Sequence, residues 1–361
     1  MSSTSTGTGT GTGNSTSLLV SASWLHDHLN QVKVLDCSWH LPTVKRSASS
    51  EFAKAHIPTA QFFDIDEIKD LARADLPHML PPPEFFAAAM DRFGIASNDH
   101  VVVYDTAGVG PACRVLWTFH AMGHNCVSVL NGGLPAWMAH GYKTEAGLSA
   151  VTAADQATRA AHQEKDSNVN TIRSRSSSSC SNDDDVSARE KLPLYTSQPK
   201  HDLVCSYTDI VGNIEQLKTS NGSKGCQIVD ARPRMRFTGQ APEIRPGLSS
   251  GHMPYAVSVP SSEVVAMTQL EPSPYSDSNN DVSNVTEVQV LKSPEQIRAL
   301  FEAAGIDLDR PITTTCGSGV TAAILYFALL NAGVPQKNLT LFDGSWTEYA
   351  LNPVSEIVKD I

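Results

Sequence analysis

A β-branched run, Thr313-Thr314-Thr315, leads to Cys316, and the cysteine is followed by Gly317-Ser318-Gly319-Val320-Thr321 and then by the apolar stretch Ala322-Ala323-Ile324-Leu325-Tyr326-Phe327. Strand, small-residue loop and helix in that order place one thiol at a helix N-terminus. Unpaired backbone N–H groups and the positive end of the helix dipole there favour thiolate over thiol. The glycines let the backbone curl around whatever the sulfur carries. A thiolate in such a setting is a nucleophile, so the pattern points to covalent chemistry at sulfur. The strand alone is equally compatible with a buried structural cysteine; the loop composition favours the nucleophile.

The elements that must position this cysteine repeat along the chain. Val34-Leu35-Asp36-Cys37-Ser38-Trp39 returns as Ile228-Val229-Asp230-Ala231-Arg232-Pro233, an offset of 194 residues. His56-Ile57-Pro58 returns as His252-Met253-Pro254 at offset 196, and Leu130-Asn131-Gly132-Gly133 through Trp137 returns as Phe342-Asp343-Gly344-Ser345 through Tyr349 at offset 212. Offsets that grow in order are those of a duplicated domain with insertions in its second copy, and the Ser/Asn/Asp-rich Gln269 to Glu287 is the expected insertion. In the first copy, strands are expected at Val32 to Cys37, Val101 to Tyr104 and Val127 to Leu130, and helices at Pro83 to Phe93 and Ala112 to Met122. Alternation of strand and helix predicts an α/β fold with mainly parallel sheets, ligands binding at the carboxyl ends of the strands. Cys316 falls at such an end, and Asp105 takes its place in the first copy. The expected organisation is a disordered tail over 1–17, a first domain over 18–146, a disordered linker over 147–200 and a second domain over 201–361.

Composition bounds the function. With 361 residues the chain is long enough for two cores. A net charge of −11 argues against direct nucleic-acid binding, and no apolar run is long enough for a membrane span. Seven scattered cysteines without a Cys-x-x-Cys pair predict reduced thiols and no metal site. The Ser/Thr/Gly tract at the start lacks the arginines and apolar core of a targeting segment, which predicts a cytoplasmic location with mitochondria as the alternative.

The loop Cys316 to Thr321, with Asp230-Ala231-Arg232 upstream and Gly251-His252-Met253-Pro254 between, resembles the tandem-rhodanese family of 3-mercaptopyruvate and thiosulfate sulfurtransferases. The likeness covers nearly the whole chain apart from the tail, linker and insertion. It implies two rhodanese-like domains, the first inactive, with the site near their interface. It also implies that Cys316 takes sulfur from 3-mercaptopyruvate, releases pyruvate and carries a persulfide until a thiol or cyanide acceptor removes it. That acceptor would be a molecule such as thioredoxin or a sulfur-carrier protein, with no cofactor or metal involved. The amides of Gly317, Ser318, Gly319, Val320 and Thr321 would form a concavity for the anionic persulfide. The resemblance further assigns the donor carboxylate to Arg236 and Arg245, whose planar forks suit an α-keto acid. Arg232 and Arg234 have less claim. It groups Ser318 with His78 and Asp66 as a serine-histidine-aspartate set, with Asp64 and Asp75 as alternatives to Asp66.

Rival readings make distinct demands on the same loop. A cysteine phosphatase needs Cys-x5-Arg, and the sixth position after Cys316 is Ala322. Thiosulfate sulfurtransferases typically follow the cysteine with basic residues for a dianionic donor, whereas Gly317 and Ser318 stand here. A sulfur relay serving tRNA thiolation, without a small-molecule donor, is the third alternative.

Overall fold

The structure, a computed structural model, describes residues 17–147, 195–270 and 286–360. Each half of the chain builds a five-stranded parallel sheet. The first contains β1 (Leu19–Val20), β2 (Lys33–Asp36), β3 (Gln61–Phe62), β4 (Val101–Tyr104) and β5 (Val127–Leu130), in the order β1-β5-β4-β2-β3. In the second half β6 (Val204–Cys205), β7 (Gln227–Asp230) and β8 (Ala256–Ser258) are followed by an antiparallel hairpin of β9 (Val265–Leu270) and β10 (Thr286–Leu291). β11 (Ile312–Thr315) and β12 (Leu339–Phe342) complete a sheet ordered β6-β12-β11-β7-β8. The two orders are the same order, as duplication requires.

The central strands carry continuous apolar or β-branched runs because helices cover both faces of a parallel sheet. Val101 to Tyr104 and Ile312 to Thr315 are buried throughout. The helices Pro83–Arg92 and Pro111–Ala121 each begin with proline at the first turn, where its missing N–H costs nothing.

The helix Val320–Asn331 is apolar around nearly its whole circumference, a pattern that only burial on every side explains. It packs against the first-domain helix Pro111–Ala121, and residues of both halves join one apolar core. Polar contacts reinforce the seam: His120 Nδ1 lies 3.3 Å from the Tyr326 hydroxyl and 3.0 Å from Gln336 Nε2. The hairpin clasps the first domain from another side, Gln289 Nε2 donating to Val109 O at 2.8 Å and Leu291 N to Asn131 Oδ1 at 3.0 Å.

The expected disordered linker differs at its C-terminal end. Most of 147–200 and of the 1–17 tail lies outside the described residues. Tyr195, however, is buried against Phe86 and His124, and the amides of Gln198 and Lys200 donate to Met122 O and Ala121 O at 2.8 Å each. The chain is therefore held to the first domain before it reaches β6, a large ring supplying the burial that offsets ordering. Likewise Gln269 and Glu287, placed within an insertion from composition, pair across the hairpin.

Candidate active site

Cys316 is the residue after β11 and is buried. Gly319 occupies a left-handed conformation with φ +81° and caps the helix Val320–Asn331. Its amide donates to Cys316 Sγ at 3.2 Å. Of the five amides expected around the sulfur, this one reaches the resting atom. A second short helix, Ser345–Leu351, braces the loop from outside. Trp346 N donates to Cys316 O at 2.9 Å, Thr347 N to Gly317 O at 3.0 Å, and Thr347 Oγ1 to the same carbonyl at 2.6 Å. Cys316 N in turn donates to Ser345 Oγ at 3.3 Å. The unpaired groups of one helix end thus hold the loop that opens another helix.

Above the sulfur lies a cavity of about 330 Å³. The second domain lines it with Arg232, Arg236, Glu243, Arg245, the loop from Cys316 through Ser318, Val320, Thr321 and Thr347. The first domain adds Trp39, Leu41, Pro42 and Thr43. The site is therefore built at the domain interface.

Its three arginines differ in what they already hold. Arg232, fully buried, donates to both Asp230 oxygens, to Glu243 Oε1 and to Gly251 O, and its guanidinium stacks over Trp346 at 4.1 Å. It is committed to its own fold. Among the described residues, the Arg236 side chain keeps only a long 3.5 Å contact with Glu243. Arg245 donates to the Thr347 hydroxyl at 3.0 Å. Burial lowers the Arg245 pKa, while the nearby Cys316, Asp66 and Glu243 pull it back up.

Asp66 and His78, assigned from the first domain, do meet. His78 Nδ1 lies 3.2 Å from Asp66 Oδ1, although neither ring nitrogen makes a well-aligned hydrogen bond among the described residues. Asp64 Oδ1 instead accepts from the Asp66 amide, and Asp75 pairs with Arg73. Burial acts to raise the Asp66 carboxyl, but His78 and Trp39 outweigh it and hold it at about 2. Burial pushes the His78 imidazole below its usual range, with Asp66 opposing. Trp39 donates to Asp66 Oδ2 at 2.7 Å and sets its ring edge-on to His78, so it joins the pair to the cavity that it lines. Ser318 faces the same cavity, and no hydrogen bond joins it to His78 among the described residues. Trp39, Glu243, Ser345 and Thr347 were not singled out from sequence. Trp39 and Ser345 stood only within repeat segments, which signal duplication rather than chemistry.

The first domain forms the corresponding loop around a carboxylate. Asp105 is buried, and its two oxygens accept from the amides of Ala107, Gly108, Gly110 and Ala112 at 2.8 to 3.0 Å.

A rhodanese-like domain model matches residues 21–140 and again 213–352. The chain is 38% identical over 344 residues to thiosulfate/3-mercaptopyruvate sulfurtransferase 2 of Arabidopsis thaliana, covering 94% of this chain and 86% of that one. It is 32% identical to human 3-mercaptopyruvate sulfurtransferase, covering 94% of each. Among solved structures, the sulfur transferase subunit found sub-stoichiometrically with yeast mitochondrial complex I superposes with a TM-score of 0.70 at 30% identity, covering 96% of this chain and all of that one.

Proposed function

From a chain that belongs to the tandem-rhodanese family of 3-mercaptopyruvate/thiosulfate sulfurtransferases, we propose an enzyme that moves sulfane sulfur from 3-mercaptopyruvate through a Cys316 persulfide to a thiol acceptor. The Cys316 thiolate attacks the donor sulfur. The carbon–sulfur bond breaks, and its electron pair leaves with the carbon as the enolate of pyruvate, which takes up a proton. An acceptor thiolate then attacks the outer sulfur and restores the Cys316 thiolate. Arg236 and Arg245 hold the donor carboxylate. The Asp66–His78 pair and Ser318 manage the proton of the leaving enolate.

The observation that carries this reading is the charge around one cavity. Asp230 and Glu243 are taken up chiefly by Arg232, so Arg236, with one long contact to Glu243, and Arg245 are the guanidiniums left to meet an anion in the cavity beside Cys316. A single planar carboxylate suits that pair, whereas thiosulfate brings two negative charges to a loop in which no basic residue directly follows the cysteine. The name of the Arabidopsis relative joins both donors, so thiosulfate is kept as the slower alternative.

The purified chain is expected to release pyruvate from 3-mercaptopyruvate faster than it turns over thiosulfate, and Cys316→Ser to abolish both. Intact-peptide mass spectrometry after donor exposure should find about 32 Da added at Cys316. Full turnover by the Cys316→Ser chain would sink the reading. The yeast subunit associated with a larger complex supports a second reading, a relay in which Cys316 receives persulfide from a protein. A chain that accepts sulfur from a protein persulfide and releases no pyruvate would favour it. Cell fractionation separates the cytosolic location proposed here from the mitochondrial one.

A further inference from the structure

Arg114 lies in the first domain, on the helix Pro111–Ala121, and is buried. It nevertheless meets three parts of the site. Nη2 donates to the backbone carbonyl of His78 and lies 2.5 Å from Asp343 Oδ1, while Asp343 Oδ2 accepts from Leu80 N at 2.7 Å. The third contact is with the sulfur loop. A Cβ on Gly319 would stand 2.6 Å from Arg114 Nη1 and 3.1 Å from the Asp343 carbonyl. Nη1 is buried and has no hydrogen-bond partner among the described residues, although a buried donor left in that state costs stability. Its cost is borne directly behind the glycine whose amide reaches Cys316 Sγ.

We propose that Arg114 is a positioning residue for the sulfur-carrying loop: it backs Gly319 so that the amide stays aimed at Cys316, and it ties that aim to the His78 segment and to Asp343 at the end of β12. The Arg114–Asp343 ion pair is close to neutral as a unit, so its effect is geometric. The first domain thereby acts on the sulfur's surroundings as well as lining the cavity. The proposal rests on the sulfurtransferase reading for its kinetic test alone.

Arg114→Met by itself leaves Asp343 buried and unpaired and is expected to impair folding. The informative variant is therefore Arg114→Met/Asp343→Asn, which removes both charges, alongside Arg114→Lys, which keeps the charge and loses the fork. The double variant is expected to keep wild-type circular dichroism. Its kcat with 3-mercaptopyruvate should fall about tenfold or more through misaimed geometry, with KM within about twofold because Arg236 and Arg245 are untouched. Alkylation of Cys316 by iodoacetamide, which needs no sulfur donor, should slow in parallel, and Arg114→Lys should recover part of both rates. A folded double variant that alkylates and turns over like wild type, or one whose loss lies wholly in KM, overturns the proposal. If the double variant does not fold, Arg114→Lys decides: a lowered kcat at unchanged melting temperature supports the role, and wild-type kcat ends it. If the wild-type chain itself releases no pyruvate, the sulfurtransferase reading fails and the alkylation rates still judge Arg114.

Discussion

An arginine already saturated by its own protein has nothing left for a ligand, and the cavity holds arginines at different stages of that commitment. Among the described residues, Arg232 is spent on Asp230, Glu243 and a backbone carbonyl, Arg236 retains one long side-chain contact, and Arg245 donates only to a hydroxyl. Arg245→Lys is therefore expected to raise KM for 3-mercaptopyruvate about tenfold, roughly 1.4 kcal/mol, with kcat little changed, because a point charge replaces a two-pronged contact. Steady-state kinetics check it; an unchanged KM would remove Arg245 from donor binding. From sequence, the resemblance to the family separated Arg236 and Arg245 from Arg232 and Arg234. The reason for the separation was not legible there. For Arg232 it lies in Asp230 and Glu243, whose proximity is created by the turn of chain after β7 rather than by spacing. Asp66 likewise became distinct from Asp64 and Asp75 only once the fold set it beside His78.

At the level of elements, the strand and helix that frame Cys316 were readable because their patterns are long and consistent: a β-branched run, a glycine-bearing loop and twelve residues of helix. The helix Ser345–Leu351 was not readable as part of the site. It is short, and the segment that begins it repeats a first-domain pattern that has no nucleophile to brace. Thr347 shows what that helix contributes, since one hydroxyl donates to Gly317 O and accepts from Arg245 Nη1. Thr347→Val keeps the shape and removes both bonds. It is expected to lower kcat/KM about tenfold, of the order of the two hydrogen bonds lost. The melting temperature should move by no more than about 2–4 °C. Kinetics and a thermal melt run together test this, and an unchanged kcat/KM would show that the helix does not set the geometry.

For the whole molecule, the seam between the helices Pro111–Ala121 and Val320–Asn331 carries a titratable group. Burial pushes the His120 imidazole from 6.5 down to about 3, the nearby Lys200 and His124 acting in the same direction. The unfolded chain therefore binds a proton near pH 6.5 that the folded chain refuses until about pH 3. Stability is lost as pH falls through that window, at up to about 1.4 kcal/mol per pH unit for this group, and is unaffected by it above the window. Burial lowers His78, His100 and His124 as well, so the slopes add in the same direction. Urea midpoints at pH 7.5 and 5.5 should show the loss, and His120→Gln should flatten it; equal wild-type midpoints would contradict the assignment. The duplication was visible in three ordered repeats, and parallel sheets followed from alternation. That the two halves share an apolar cluster was not, because an all-apolar helix signals burial without naming its neighbour.

The Asp105 loop bears on what the first half could do at its own copy of the cysteine position. Four amides converge on a charge that is part of the chain and never departs. Installing cysteine at 105 would recover a sulfur but not a grip on any keto acid, since Ser38 and Pro42 stand where the repeat register would put Arg232 and Arg236. Sulfur chemistry in that copy would therefore need several simultaneous changes, because a lone thiol there would have no guanidinium to hold its donor.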